Sequence, residues 1–352
     1  MGETEQRHNH FNALRLLFAS LVIVSHAPEL HEGNRQSELL TRVFHTLTFG
    51  ELAVDGFFLL SGYLITQSWD RQPRWWPFLK KRLLRIYPGF VAASLICAFV
   101  LGPWMASSTY ATEFSMVRFL RSVVTLGAPD IPPVFPERPF PVANGAMWTI
   151  QWEFRCYLAV LVVGCLRVVS FRRAWTGLTV LVFSLWTLEQ LHVSATLHEW
   201  MSLMRPSFWR FNALFLVGGC YYLHRHRLPW SGRGAVLALL VLLPCMFSAP
   251  LSEPALALFG GYLLFYVAHV PAPALQVFNR GTDISYGLYL YGWPMQNLLS
   301  SFWPQANVWL LLPFVFAGCV VMAFASWYAV EKPFLRLKQG WWSGGGWVRG
   351  LS

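Results

Sequence analysis

Apolar residues in this chain come in long blocks, not in the alternation expected of half-buried strands. Ten blocks stand out, near 11–28, 52–68, 83–103, 147–166, 174–192, 208–223, 234–250, 254–270, 284–301 and 307–330. Most are about 17 to 20 residues, the length a helix needs to cross hydrocarbon. The pattern predicts an all-α polytopic membrane protein of about ten transmembrane helices. One transmembrane domain would run over 1–339, with a short cytoplasmic tail at 340–352.

The loops give an independent check. With the N-terminus inside, eighteen of the 27 Lys and Arg fall on one side. Arg71, Arg74, Lys80, Lys81, Arg82 and Arg85 follow the second block. Arg167, Arg172 and Arg173 follow the fourth, and Arg225, Arg227 and Arg233 the sixth. Arg280 follows the eighth, and Arg7, Lys332, Arg336, Lys338 and Arg349 lie near the ends. Arg15 and Arg155 lie within blocks, and seven fall on the other side. This bias predicts both termini in the cytoplasm. Two outer segments are long, 29–51 and 104–146. The second carries Phe114, Val117, Leu120 and Val124 at helical spacing, the mark of an interfacial amphipathic helix. A proline-rich stretch follows (APDIPPVFPERPFPVANG), which suits an exposed lid or acceptor platform.

Composition agrees with this class. The chain is 55% hydrophobic, 12% charged and rich in tryptophan. Its net charge of +10 reports orientation here, because no basic stripe marks a nucleic-acid surface. No cleavable leader or myristoylation motif is expected at the polar N-terminus. The six cysteines form no CxxC pair, so neither a disulfide framework nor a metal site is implied. His8 and His10, and His224 and His226, lack the supporting ligands of a metal centre.

The candidate chemistry lies in the ionisable residues inside the blocks. Arg15 and His26 are eleven residues apart on one helix, so they share a face about 16 Å apart along the axis. Snorkelling of Arg15 and simple interfacial hydrogen bonding of His26 are the competing readings. Asp55 sits at roughly the depth of His26 on the next helix. It is a candidate to orient the imidazole, or a helix N-terminal carboxylate favoured by the dipole. Arg82 and Arg85 share a face at i and i+3 and suit a phosphate-bearing ligand, or anchor the inner surface. Glu153 is a second carboxylate inside a block, with Trp148 and Trp152 just before it. The layout is an arginine-rich mouth at one end and a histidine with carboxylates at the other.

In order and spacing the chain resembles the acyltransferase 3 family of integral membrane O-acyltransferases. The resemblance runs from Arg15 and His26 through VDGFFLLSGYLIT, RLLRIYP and FPVANGAMWTIQWEFRCYL to DISYGLYLYGWP and YAVEKPFLRLK. It implies His26 as catalytic base or acyl carrier, with Asp55 and Glu153 in support. Arg82 and Arg85, with Arg15 lining the way, would hold acetyl-CoA or another acyl-CoA as donor. Asn144 and Trp148 fall in the segment expected to meet the acceptor, a saccharide or lipid-linked glycan. The chain departs from the family at Gly292–Trp293, where many members carry a histidine, and at Ala146, where many carry serine. The expected setting is a bacterial inner membrane, with polysaccharide-assembly proteins as partners. The competing function class is a transporter of a glycan or lipid-linked intermediate.

Overall fold

The architecture was read from a computed structural model, which describes residues 10–167, 172–272, 278 and 282–337. Arg7, His8, Arg280, Lys338, Arg349 and the 340–352 tail lie outside them. The described residues form helices and contain no strand.

Each apolar block is occupied by a helix, and short helices lie between them, including the single turns Leu39–Phe44 and Tyr110–Glu113, which are left unnumbered. The helices are α1 (Phe11–Glu32), α2 (Phe49–Arg71), α3 (Trp75–Met105), α4 (Met116–Val124), α5 (Trp148–Cys165) and α6 (Arg172–Gln190). They continue as α7 (Ala195–Ser202), α8 (Pro206–His224), α9 (Gly232–Cys245), α10 (Ala249–His269), α11 (Ser285–Phe302) and α12 (Val308–Arg336). Among the described residues, α1, α2, α3, α10 and α12 are long and apolar enough to cross a membrane. The bent pair α6–α7, broken by 114°, would make a sixth if it acts as one span. The chain is therefore a multi-pass membrane protein. The helices below that threshold include α5, α8 and α11, which carry Glu153, Arg210, and Gln296 and Asn297 respectively. Polar groups turned inward lower a helix's apparent hydrophobicity without exposing them to lipid.

Local signals fix the helix ends around the site. Thr48 and Glu51 form a reciprocal capping box that starts α2. Gly33 ends α1 in the left-handed region, at φ 80°, returning its N–H to Glu29 O. Pro28 sits inside α1 without ending it. α1 packs between α2 and α11, and α8 lies along α2. That last contact is close: a Cβ on Gly62 would meet the Phe215 carbonyl, and one on Gly218 the Leu59 carbonyl.

The second outer segment, 104–146, fits expectation in its helix and departs from it in its proline-rich stretch. On α4, Val117, Leu120 and Val124 face outward, while Phe119 packs inward. An outward apolar stripe fits a helix lying in the membrane interface. The proline-rich stretch is not an exposed lid, because Val134, Phe135 and Ala143 are buried against Cys97, Leu101 and Tyr110. Arg138 reinforces it by donating from Nη2 to the carbonyls of Leu30 (2.7 Å) and His31 (3.1 Å). Those carbonyls belong to the last turn of α1 and have no partner within the helix, so the guanidinium satisfies them.

Candidate active site

One cavity gathers the arginines. Arg15 of α1, Ser61 of α2, Arg82 and Arg85 of α3, Glu153 of α5 and Tyr286 of α11 line it. It holds about 780 Å³ of atom-free space, open solvent at its mouth included. Asp283, just before α11, organises the basic groups. Its Oδ2 accepts from Arg85 Nη2 at 2.6 Å and lies 3.7 Å from Arg15 Nη1. Burial alone would raise the Asp283 carboxyl, but Arg85 and then Arg15 outweigh it and hold the pKa at about 2. Asp283 therefore stays ionised at any physiological pH. Glu331, in the π-turn Trp327–Glu331 of α12, adds a second carboxylate 3.8 Å from Arg85. Arg82 donates to Ser68 Oγ at 2.5 Å and lies over the rings of Phe78 and Tyr157.

Deeper in the cavity, Glu153 Oε1 accepts hydrogen bonds from Ser61 Oγ and from Tyr157 OH, the latter at 2.5 Å. The three cavity arginines outnumber the carboxylates they touch, so the mouth keeps an excess of donors for an anionic ligand.

His26 stands at the other end of α1, outside the cavity lining. Its Nδ1 lies 2.9 Å from Glu29 Oε2. An ionised carboxylate can only accept, so Nδ1 carries the proton and Nε2 is the basic nitrogen. Glu29 is held in turn: Arg35 donates to its Oε1 at 3.0 Å and also approaches Glu51 at 3.7 Å. The edge of Trp293 meets the imidazole, with ring centroids 5.0 Å apart. Trp293 is itself fixed by its indole N–H, which donates to Val142 O at 3.1 Å. Trp293 thus forms a wall of the His26 site.

The other expected site residues are placed elsewhere. Asp55 does not meet His26. It is fully buried and paired with Arg210 at 2.8 Å, and Arg210 bridges to Glu253 at 2.8 Å. Glu153 also has no contact with His26; it belongs to the arginine cavity. Asn144 is buried, donating to Leu290 O at 2.7 Å and accepting from Ala146 N. Pro294 has no N–H for the Leu290 carbonyl four residues earlier, and Asn144 takes that place. Trp148 is 44% exposed, at the start of α5 and against Phe211. His10 bonds to Val270 O and His224 to Thr176, and no cluster of three or more possible metal ligands occurs among the described residues.

Glu29, Asp283 and Glu331 were not singled out from sequence, although each had a signal. Glu29 is three residues after His26, the spacing that puts two side chains on one helix face. Asp283 opens one of the motifs that carry the family resemblance, and Glu331 lies within another.

Comparison with known proteins points to one family. An acyltransferase-domain family model matches residues 8–331. The chain is 27% identical to nodulation protein 10 of Rhizobium leguminosarum bv. viciae, over 94% of each chain. It is 26% identical to an O-acetyl transferase of Shigella phage Sf6, over 94% of this chain and 96% of that one. No solved structure matches.

Proposed function

Since this chain belongs to the acyltransferase 3 family, we propose that it moves an acetyl group from cytosolic acetyl-CoA to a hydroxyl of an extracytoplasmic or lipid-linked saccharide. The observation that carries this reading is the division of labour along α1. Arginines gather at one end, and a carboxylate-oriented histidine stands about 16 Å away at the other.

Arg82, Arg85 and Arg15 bind the phosphates of the donor, with Asp283 and Glu331 holding Arg85 in register. The acyl arm extends past Ser61 and Glu153 towards His26. His26 Nε2 takes the proton of the acceptor hydroxyl as its oxygen attacks the thioester carbonyl. The carbon–sulfur bond breaks, and the imidazolium returns that proton to the CoA thiolate. Glu29 keeps the proton on Nδ1 and stabilises the cation formed at mid-reaction. Trp148 offers an exposed aromatic face to the sugar. Asn144 and Asp55 act through the scaffold, fixing α11 and the α2–α8 pair.

The same reading places ten helices across a bacterial inner membrane, both termini cytoplasmic, with the arginine mouth inside. Polysaccharide-assembly proteins are the natural neighbours of such an enzyme.

The direct test is acceptor-dependent release of free CoA thiol by purified protein in nanodiscs. The reading predicts thiol release that needs both acetyl-CoA and a saccharide acceptor. Glycan movement across the bilayer without thiol release would assign the chain to transport.

A further inference from the structure

α5 presents two chemistries to two sides. Glu153 enters the arginine cavity. Arg155, two residues on, is turned about 200° round the helix axis. It is exposed, and its guanidinium lies 4.6 Å from the centre of the Trp152 ring. There it lines a second opening, between α5 and the segment joining α7 to α8. Trp152, Leu203, Arg205, Phe208 and Asn212 are among the other residues that line it. The opening holds about 870 Å³ of atom-free space including its mouth.

The two arginines here differ from the six that the cavity, the His26 site and their scaffold use. Arg15, Arg35, Arg82, Arg85, Arg138 and Arg210 each touch a carboxylate, a hydroxyl or a carbonyl. Neither Arg155 nor Arg205 has a side-chain hydrogen bond or ion pair among the described residues. Arg155 lies within an apolar helix with only the Trp152 ring beside it, and a charge there is costly unless compensated, so it marks a ligand position; Arg205 stands just before α8, across the same opening. The walls are aromatic and aliphatic, and they end in exposed Leu203 and Met204. The groove therefore offers two cationic donors above an apolar trough.

We propose that this groove binds the headgroup of a pyrophosphate-linked lipid, entering sideways from the bilayer. Two free guanidiniums match a headgroup with at least two negative charges, whereas a diester phospholipid such as phosphatidylglycerol brings one. The lipid chain lies along Trp152, Phe208 and Leu203. A sugar carried on the pyrophosphate then reaches Trp148, one turn from Trp152 towards the start of α5. The proposal deepens the acceptor side of the function above and rests on that reading for the role of the sugar. The binding itself does not depend on it.

The test is binding of a polyprenyl pyrophosphate to the full chain in phosphatidylcholine nanodiscs, without any acyl donor. Arg155→Gln and Arg205→Gln are each expected to weaken binding roughly tenfold, and the double variant further. Arg155→Lys should restore part of the loss, and acetyl-CoA affinity should not change in any of them. Unchanged binding by the double variant would overturn the proposal. So would phosphatidylglycerol binding as tightly as the pyrophosphate lipid. A photoreactive polyprenyl pyrophosphate on the unaltered chain gives a readout independent of variant folding. Labelling within 148–159 and 200–212 is expected, and labelling confined elsewhere overturns the site. Loss of acetyl transfer with intact lipid binding would count against the enzymatic reading alone.

Discussion

His26 is defined by what holds it. Glu29 takes Nδ1, Arg35 holds Glu29, and Trp293 closes one side. Replacing Glu29 by Gln keeps the shape but removes the charge that stabilises an imidazolium. Steady-state kinetics should show kcat falling by about 10²-fold, with KM for acetyl-CoA little changed. An equal loss of donor affinity would place Glu29 in binding instead. Arg82→Ala should do the reverse, raising KM for acetyl-CoA roughly tenfold or more through one lost charge-assisted contact. The arginines were legible because a charge inside or beside an apolar run is conspicuous. Glu29 was missed because the apolar run ends near 28, so it read as loop. The helix instead continues through Pro28 to Glu32 and puts Glu29 on the His26 face. Asp55 shows the opposite limit. Sequence gave its depth along α2, but the direction of its side chain depends on Arg210, 155 residues away.

At the level of elements, small residues and proline set the distances between helices. Gly62 and Gly218 let α2 and α8 touch backbone to backbone. Gly62→Ala or Gly218→Ala should cost about 1–3 kcal/mol through overpacking, read as a lower thermal midpoint in detergent. An unchanged midpoint for both would mean that the pair tolerates separation. Among the described residues a helix falls on each apolar block, but only five or six are long and apolar enough to cross a membrane. The blocks overstated how hydrophobic each helix would be, because α5, α8 and α11 spend part of their surface on polar contacts inside the bundle. Asn144 makes the same point: its motif was visible, but its task of filling the gap left by Pro294 is a three-dimensional fact.

Over the whole molecule, the basic loops and the site imply one orientation. On the proposed function, the arginine mouth faces the compartment that holds acyl-CoA, and the His26 end the opposite side. Single cysteines at Asn34 and Gln72, in an otherwise cysteine-free chain, test this. Asn34→Cys should react with an impermeant maleimide in intact spheroplasts, and Gln72→Cys only after permeabilisation. The reverse pattern would invert the molecule and remove cytosolic acyl-CoA as its donor. The central claim is that His26 activates the acceptor for an acyl group supplied by acetyl-CoA. Its most direct test is transfer of labelled acetyl from acetyl-CoA to extracted glycan and lipid-linked sugar in inverted membrane vesicles. The unaltered chain and His26→Ala, at matched membrane levels, would be compared. Label in saccharide with the unaltered chain and none with His26→Ala is the predicted result. Equal label in both would contradict the role assigned to His26.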